Sequence, residues 1–122
     1  MGEISVYVYG SCSTCRKALK FLEQNSVSVQ VKDIVETPPS KAELKKMLGL
    51  LNGQLKKLFN TSGLVYREMG LSKKLPDMSE DEALKLLSEN GKLIKRPFLL
   101  NNSANKGLVG FKESDYQSLC DH

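Results

Sequence analysis

Histidine is almost missing from this chain. The only one, His122, is the last residue, and no role is expected for it. Beside Cys12-Ser13-Thr14-Cys15 there is no second Cys-x-x-Cys. A structural zinc site built from such pairs, or from cysteine and histidine together, therefore lacks ligands, and no metal is expected. No apolar run approaches the roughly 18–20 residues that span a bilayer. No basic segment leads into an apolar one at the start, so no signal peptide is expected, and a cytoplasmic location is. Met1-Gly2 is weak evidence for myristoylation, because Val6 stands where serine or threonine is wanted. Blocks of about five or six like charges are missing too. The net charge of +4 is spread over lysines on helical segments, among them Lys17, Lys20, Lys41, Lys45, Lys46, Lys56 and Lys57. That is a solvated face rather than a nucleic-acid surface, though mild basicity suits an oxyanion substrate or an acidic partner. Internal repeats and low-complexity segments are also lacking.

What is present is an ordinary globular composition, 40% hydrophobic and 26% charged over 122 residues. That length predicts one domain with a core that needs no disulfide staple. Ile4, Val6 and Val8 alternate with Ser5, Tyr7 and Tyr9, predicting a strand over 4–9. Cys15, Ala18, Leu19 and Leu22 recur at i, i+3, i+4, i+7, predicting a helix over 12–25. Val27, Val29 and Val31 predict a second strand over 28–34, and the crossover helix implies parallel pairing. Thr37-Pro38-Pro39 then breaks the pattern. Ser40-x-x-Glu43 and Ser79-x-x-Glu82 are capping boxes for helices over 40–49 and 79–89, the latter with Ala83, Leu86 and Leu87 inward. A helix over 51–59 carries Leu51, Leu55, Leu58 and Phe59, and a short one covers 63–69. Residues 73–77 read as a basic, proline-containing connection. Strand character returns over 93–100, a turn over 101–107, a strand over 108–111 and a helix over 113–119. The order β-α-β, helices, β-β-α is that of a thioredoxin-like fold, an α/β architecture with a four-stranded mixed sheet. A helical insertion of about 37–91 divides its halves.

The chemistry centres on the strand-to-helix corner. Cys12 falls at the mouth of the first helix, where unpaired N–H groups and the positive end of the helix dipole favour a thiolate. Arg16 and Lys17 add positive charge. Cys12 is thus the expected exposed nucleophile. Cys15, one turn inside on the same face, is placed to attack a mixed disulfide on Cys12. In a reducing cytosol such a pair is catalytic, redox-sensing or metal-binding more often than a permanent bridge. Arg96-Pro97 is the second signal. A proline opening a strand is confined to an edge or a special site. In thioredoxin-like folds this position faces the helix N-terminus, and its proline is usually cis. Arg96 would then bring a guanidinium to Cys12, to bind an oxyanion through paired N–H bonds or to stabilise the thiolate. The alternative is a surface arginine before an ordinary trans proline. Asn60-Thr61-Ser62-Gly63 reads as a loop with a helix cap that could also offer polar groups. Cys120 reads as an incidental thiol or, less simply, a third redox cysteine.

Together these segments resemble the arsenate reductase-like (ArsC/Spx/YffB) family of thioredoxin-like proteins. The resemblance rests on Cys12-Ser-Thr-Cys15-Arg16-Lys17-Ala18, on Phe59-Asn60-Thr61-Ser62-Gly63-x-x-Tyr66-Arg67-Glu68-x-Gly70-Leu71, on Lys95-Arg96-Pro97, and on Val109-Gly110-Phe111-Lys112-Glu113. It covers essentially the whole chain. It implies that Cys12 matches the nucleophile of glutathione- and glutaredoxin-coupled arsenate reductases, which attacks arsenate. Those enzymes surround the oxyanion with three arginines. Arg96 matches one, Asn60 stands at a second, and Gly110 or a neighbour at the third. Lys106 or Lys112 are the candidates to compensate. Cys15 departs from those enzymes and resembles the Spx branch, whose Cys-x-x-Cys is a redox switch on proteins that bind the C-terminal domain of the RNA polymerase α subunit. The Asn-Thr-Ser-Gly segment resembles a reductase-like branch instead.

The reading that follows is a thiol-dependent reductase of an arsenate-like oxyanion or a disulfide. Cys12, Cys15 and Arg96 are its catalytic residues, and Ser13, Thr14, Arg16, Asn60 and Pro97 its substrate contacts. No cofactor is expected to be bound. Glutathione with glutaredoxin, or thioredoxin, supplies electrons. The alternative is an Spx-type redox-sensing regulator that binds the polymerase α C-terminal domain. Neither needs nucleic acid or a membrane directly, and a monomer is expected.

Overall fold

The computed structural model describes residues 4–102 and 105–120. The expectation for His122 and part of the 101–107 turn lie outside the described residues, as does the thiol of Cys120. The chain divides into two compact units, residues 1–33 with 96–122, and residues 34–95.

The first unit holds β1 (Ile4–Val8), α1 (Ser13–Gln24), β2 (Gln30–Asp33), β3 (Phe98–Asn101), β4 (Lys106–Val109) and α6 (Glu113–Cys120). Its sheet has the order β2-β1-β3-β4. β1 and β2 pair in parallel, with Val6 opposite Val31, as a helical crossover requires. β1 with β3 and β3 with β4 are antiparallel. This is the mixed sheet of a thioredoxin-like fold. In β1, Val6, Tyr7 and Ser5 are all buried. A central strand covered on both faces has no solvent side, so its polar position must be small. β2 is an edge strand and begins at Gln30, later than expected. Val27 and Val29 pack on the core before the ladder starts, whereas Val31 is 54% exposed. α1 buries Cys15, Ala18, Phe21 and Leu22. Phe21 meets Tyr116 of α6 edge-on at 6.2 Å. Burial of such side chains contributes about 1.5–3 kcal/mol each.

Two further strands are shifted from expectation. β3 begins at Phe98, because Pro97, whose peptide bond with Arg96 is cis, has no N–H for a ladder. β4 ends at Val109 because Gly110 turns to φ 76° and its N–H donates to the Pro97 carbonyl at 2.8 Å.

The second unit contains α2 (Lys41–Leu50), α3 (Leu64–Glu68), α4 (Leu71–Lys74) and α5 (Glu80–Glu89), with 3-10 turns at Leu55–Leu58, Leu75–Asp77 and Gly91–Leu93. Both capping boxes form. The Ser40 hydroxyl accepts the Glu43 N–H at 3.1 Å and the Ser79 hydroxyl that of Glu82 at 3.1 Å, with the glutamates reaching back. α2 packs on α5, and Lys41 pairs with Asp81 at the surface, which holds that carboxyl below its ordinary range. The inward face of α5 is Ala83, Leu84 and Leu87, with Leu86 only half-buried, a rotation from the expected face. No helix spans 51–59. Asn52 and Gly53 both take left-handed φ, 59° and 75°, which ends α2, and only a 3-10 turn follows. The basic segment 73–77 is helical, with Pro76 early in a 3-10 turn where its missing N–H costs nothing. Among the described residues no helix is long and apolar enough to cross a membrane.

Candidate active site at the first helix

Cys12 is the N-cap of α1. Its backbone is extended (φ −88°, ψ 111°), and its Sγ accepts the N–H of Cys15 at 3.2 Å. A sulfur thus takes the place usually held by a serine or aspartate oxygen, satisfying one of the helix's unpaired donors. The turn that delivers it is closed by the Cys12 N–H, which donates to the Tyr9 carbonyl at 3.0 Å. Cys12 is half-buried, Cys15 is 1% exposed, and both are thiols rather than a disulfide.

Cys15 is strongly perturbed. Burial first, then its hydrogen bond with Cys12, push its thiol up from 9.0 to about 12. Charge on Cys12 acts in the same direction. A hydrogen bond from the Tyr9 backbone and the Arg96 guanidinium act against it. Two adjacent thiolates repel in a poorly solvated place, so the pair holds one negative charge more easily than two. The folded protein keeps a proton on Cys15 that the unfolded chain has lost between pH 9 and about 12. The raised value means that this contribution to stability is complete below pH 9 and is lost as pH rises towards 12. Cys15→Ala should therefore show a shallower fall in urea stability over that window than the unaltered protein. An identical fall would show that Cys15 titrates normally.

Arg96 is half-buried, with its guanidinium carbon 4.7 Å from the centroid of the Tyr9 ring, a cation–π distance. The buried Tyr116 hydroxyl donates to the Gly110 carbonyl at 3.0 Å. Burial, then charge on Cys15 and Asp115, raise the Tyr116 phenol above its ordinary value. Gly110 therefore links Tyr116 to Pro97. Its buried, left-handed position suits a residue without a side chain.

Cys12, Cys15, Arg96 and Pro97 thus lie in the first unit, with interactions linking the two thiols and Arg96. Ser13 opens α1 and is exposed, Thr14 is half-buried and Arg16 is exposed. Asn60 belongs to the second unit. Its N–H donates to Leu93 at 2.7 Å, its carbonyl accepts the Gly63 N–H at 3.1 Å, and its side-chain oxygen accepts from Ser62. The helix after it is capped by Gly63 with no side-chain bond, so the expected polar cap is not formed. A pocket of about 270 Å³ in that unit is lined by Leu55, Lys56, Tyr66, Ser72, Leu75 and Pro76, none of them a nominated residue. Tyr9 is the residue that sequence reasoning missed. Its only signal was an aromatic at the end of β1.

A βαβ–ββα sheet with a thiol at the N-cap of its first helix and a cis-proline before β3 defines a thioredoxin-like thiol protein. The family model described as the ArsC family matches residues 7–119, and the chain belongs to that family. It is 48% identical over 114 residues to YusI of Bacillus subtilis (strain 168), called an uncharacterized protein, across 93% of this chain and 95% of that one. It is 30% identical to an arsenate reductase of Neisseria meningitidis (strain MC58), covering 90% and 92%. It is 26% identical to the global transcriptional regulator Spx of Streptococcus mutans, covering 94% and 81%. A crystal structure of an ArsC family related protein from Bacteroides fragilis superposes with a TM-score of 0.89 at 43% identity, covering 96% and 97%.

Proposed function

We propose that the protein is a thiol-dependent reductase in which Cys12 is the nucleophile and Cys15 the resolving thiol. One observation carries this reading. The half-exposed Cys12 sulfur caps a helix, while a buried, protonated thiol waits one turn inside it. With a disulfide substrate, the Cys12 thiolate attacks one sulfur, forms a mixed disulfide and expels the other half as a thiolate. That attack consumes the charge that opposed ionisation of Cys15. Cys15 then gives up its proton to the departing thiolate and attacks the Cys12 sulfur. The second half of the substrate leaves, and an internal disulfide remains. With arsenate, Cys12 attacks arsenic with loss of water, and Cys15 then attacks the Cys12 sulfur. Two electrons pass to arsenic, and arsenite leaves. Glutathione with glutaredoxin, or thioredoxin, returns both electrons in either case. Arg96 would attract the anion, with Ser13, Thr14, Arg16 and Pro97 as further contacts.

The single matched arginine favours a singly charged acceptor over a dianion that needs several guanidiniums. NADPH oxidation should therefore be measured with arsenate and with a small disulfide, each coupled separately to thioredoxin and to glutathione–glutaredoxin. Disulfide turnover that weakens about tenfold in Arg96→Ala supports the reading, an effect of the size expected for one charge-assisted contact. No turnover with either acceptor or donor would remove it.

The Spx relative supports a second reading, a regulator whose surface changes when Cys12 and Cys15 oxidise. It requires an affinity for the RNA polymerase α C-terminal domain that differs between the reduced and oxidised protein. Equal affinities, or none, would discard it.

A further inference from the structure

The pocket of the second unit has no part in the reaction scheme. Leu55, Leu75 and Pro76 are its apolar lining, and Lys56, Tyr66 and Ser72 its polar residues. The side chains of those three make no hydrogen bond or ion pair among the described residues. Tyr66 is the telling member. It is only 5% exposed, and its ring sits edge-on to Phe59 at 6.0 Å. Among the described residues no fully buried side-chain oxygen or nitrogen lacks a partner. The unpartnered Tyr66 hydroxyl therefore belongs to the small part of the residue that solvent reaches, where Tyr66 lines the pocket. A phenol held largely out of water without a partner forgoes hydrogen bonds that a bound ligand would return.

We propose that this pocket is a binding site for a small carboxylate with an apolar body. Small-molecule sites combine apolar walls with a few placed polar groups that fix orientation, and this pocket has both. Its volume of about 270 Å³ lies below the roughly 300–1,000 Å³ of sites for drug-sized ligands, so its ligand is smaller than those. The three polar side chains offer an ammonium, a phenol and an alcohol, all donors, to a group rich in lone pairs. Charge selects an anion. Exposed Lys57, Lys73 and Lys74 flank the lining residues in sequence, against Asp77 beside Pro76 and an Arg67-Glu68 pair after Tyr66. The apolar lining disfavours a bare inorganic anion, which has nothing to bury there. Every lining residue belongs to the second unit and both thiols to the first, so the site does not depend on the reductase reading.

The probe pair is benzoate and benzyl alcohol, which share a ring and differ in charge. Each is titrated into the isotope-labelled full chain, and NMR shifts of the backbone amides give both the place of binding and the dissociation constant. Benzoate should move the amides of Lys56, Tyr66 and Ser72, with a constant of about 1 mM or tighter, ordinary for a ligand this small. Benzyl alcohol should move the same amides but bind about fivefold more weakly, the effect of one charge pair in a watery site. Lys56→Gln should abolish that preference and leave benzyl alcohol unaffected. Tyr66→Phe should weaken benzoate about threefold while Tm stays within about 2 °C, because the lost hydroxyl leaves no partner behind. Absence of these shifts at about 10 mM benzoate overturns the proposal. So do shifts centred on other residues, or a preference for benzoate that survives Lys56→Gln. A Tm lowered by several degrees in Tyr66→Phe would show that the hydroxyl is already engaged within the fold, and would overturn it as well.

Discussion

Cys12→Ser is expected to reduce turnover of any disulfide or arsenate acceptor by at least about a thousandfold, because the change removes the nucleophile itself. A serine hydroxyl at the same N-cap would still accept the Cys15 N–H, so the helix and its stability should be preserved. The loss can then be assigned to chemistry rather than to folding. Cys15→Ser should fail differently. Its first attack proceeds, but nothing inside the protein resolves the adduct, so Cys12 accumulates as a mixed disulfide visible as an added substrate mass. The contrast follows from burial. Cys15 is 1% exposed, and an external thiol must reach Cys12 to replace it. Wild-type turnover in Cys12→Ser would end the enzymatic reading. Unhindered multiple turnover in Cys15→Ser, with no adduct, would show that an external thiol does the resolving.

The parts of this site that were legible in the sequence are those set by local rules. A strand, a short break and an apolar stripe at helical spacing place Cys12 at a helix mouth without knowledge of the rest of the fold. The capping boxes at Ser40 and Ser79 are equally local, and both form. Arg96 needed more. Pro97 beside it marks a special site, but only the order of elements in a known fold turns that mark towards the thiols. Tyr9 was illegible because its partner is 87 residues away in the chain, and an aromatic closing an alternating strand reads as more strand.

The misread segments share a cause. Leu51, Leu55 and Leu58 have helical spacing, yet Asn52 and Gly53 take left-handed conformations that stop α2. Periodicity records which residues are apolar and is blind to a backbone that turns between them. The same holds at Gly110, where a positive φ ends β4 and spends its N–H on Pro97, moving the strand two residues from where β-propensity put it.

Gly91→Ala is expected to cost about 3 kcal/mol or more, the upper end for overpacking and beyond any propensity effect. Gly91 is buried and opens the 3-10 turn that ends at Leu93 and leads into Ile94. A Cβ there would lie 1.8 Å from the Ile34 carbonyl oxygen, 2.6 Å from its carbon and 3.0 Å from Cα of Val35. All three are main-chain atoms, so no rotamer change can relieve the overlap, and one segment must move by more than an ångström. The requirement is for space rather than for a left-handed conformation, since Gly91 is not among the glycines with positive φ. For a domain of this size the cost corresponds to a fall in Tm of about 10 °C. Gly49→Ala is the matched control. It lies exposed in α2 with nothing within 4 Å of the added carbon. Alanine there should gain about 0.5–1 kcal/mol through helix propensity. Thermal melts of the two variants should move in opposite directions. A Gly91→Ala protein melting within about 2 °C of the unaltered chain would mean that the contact between residue 91 and the Ile34 carbonyl is loose, because a shift that small is less than 1 kcal/mol at this chain length.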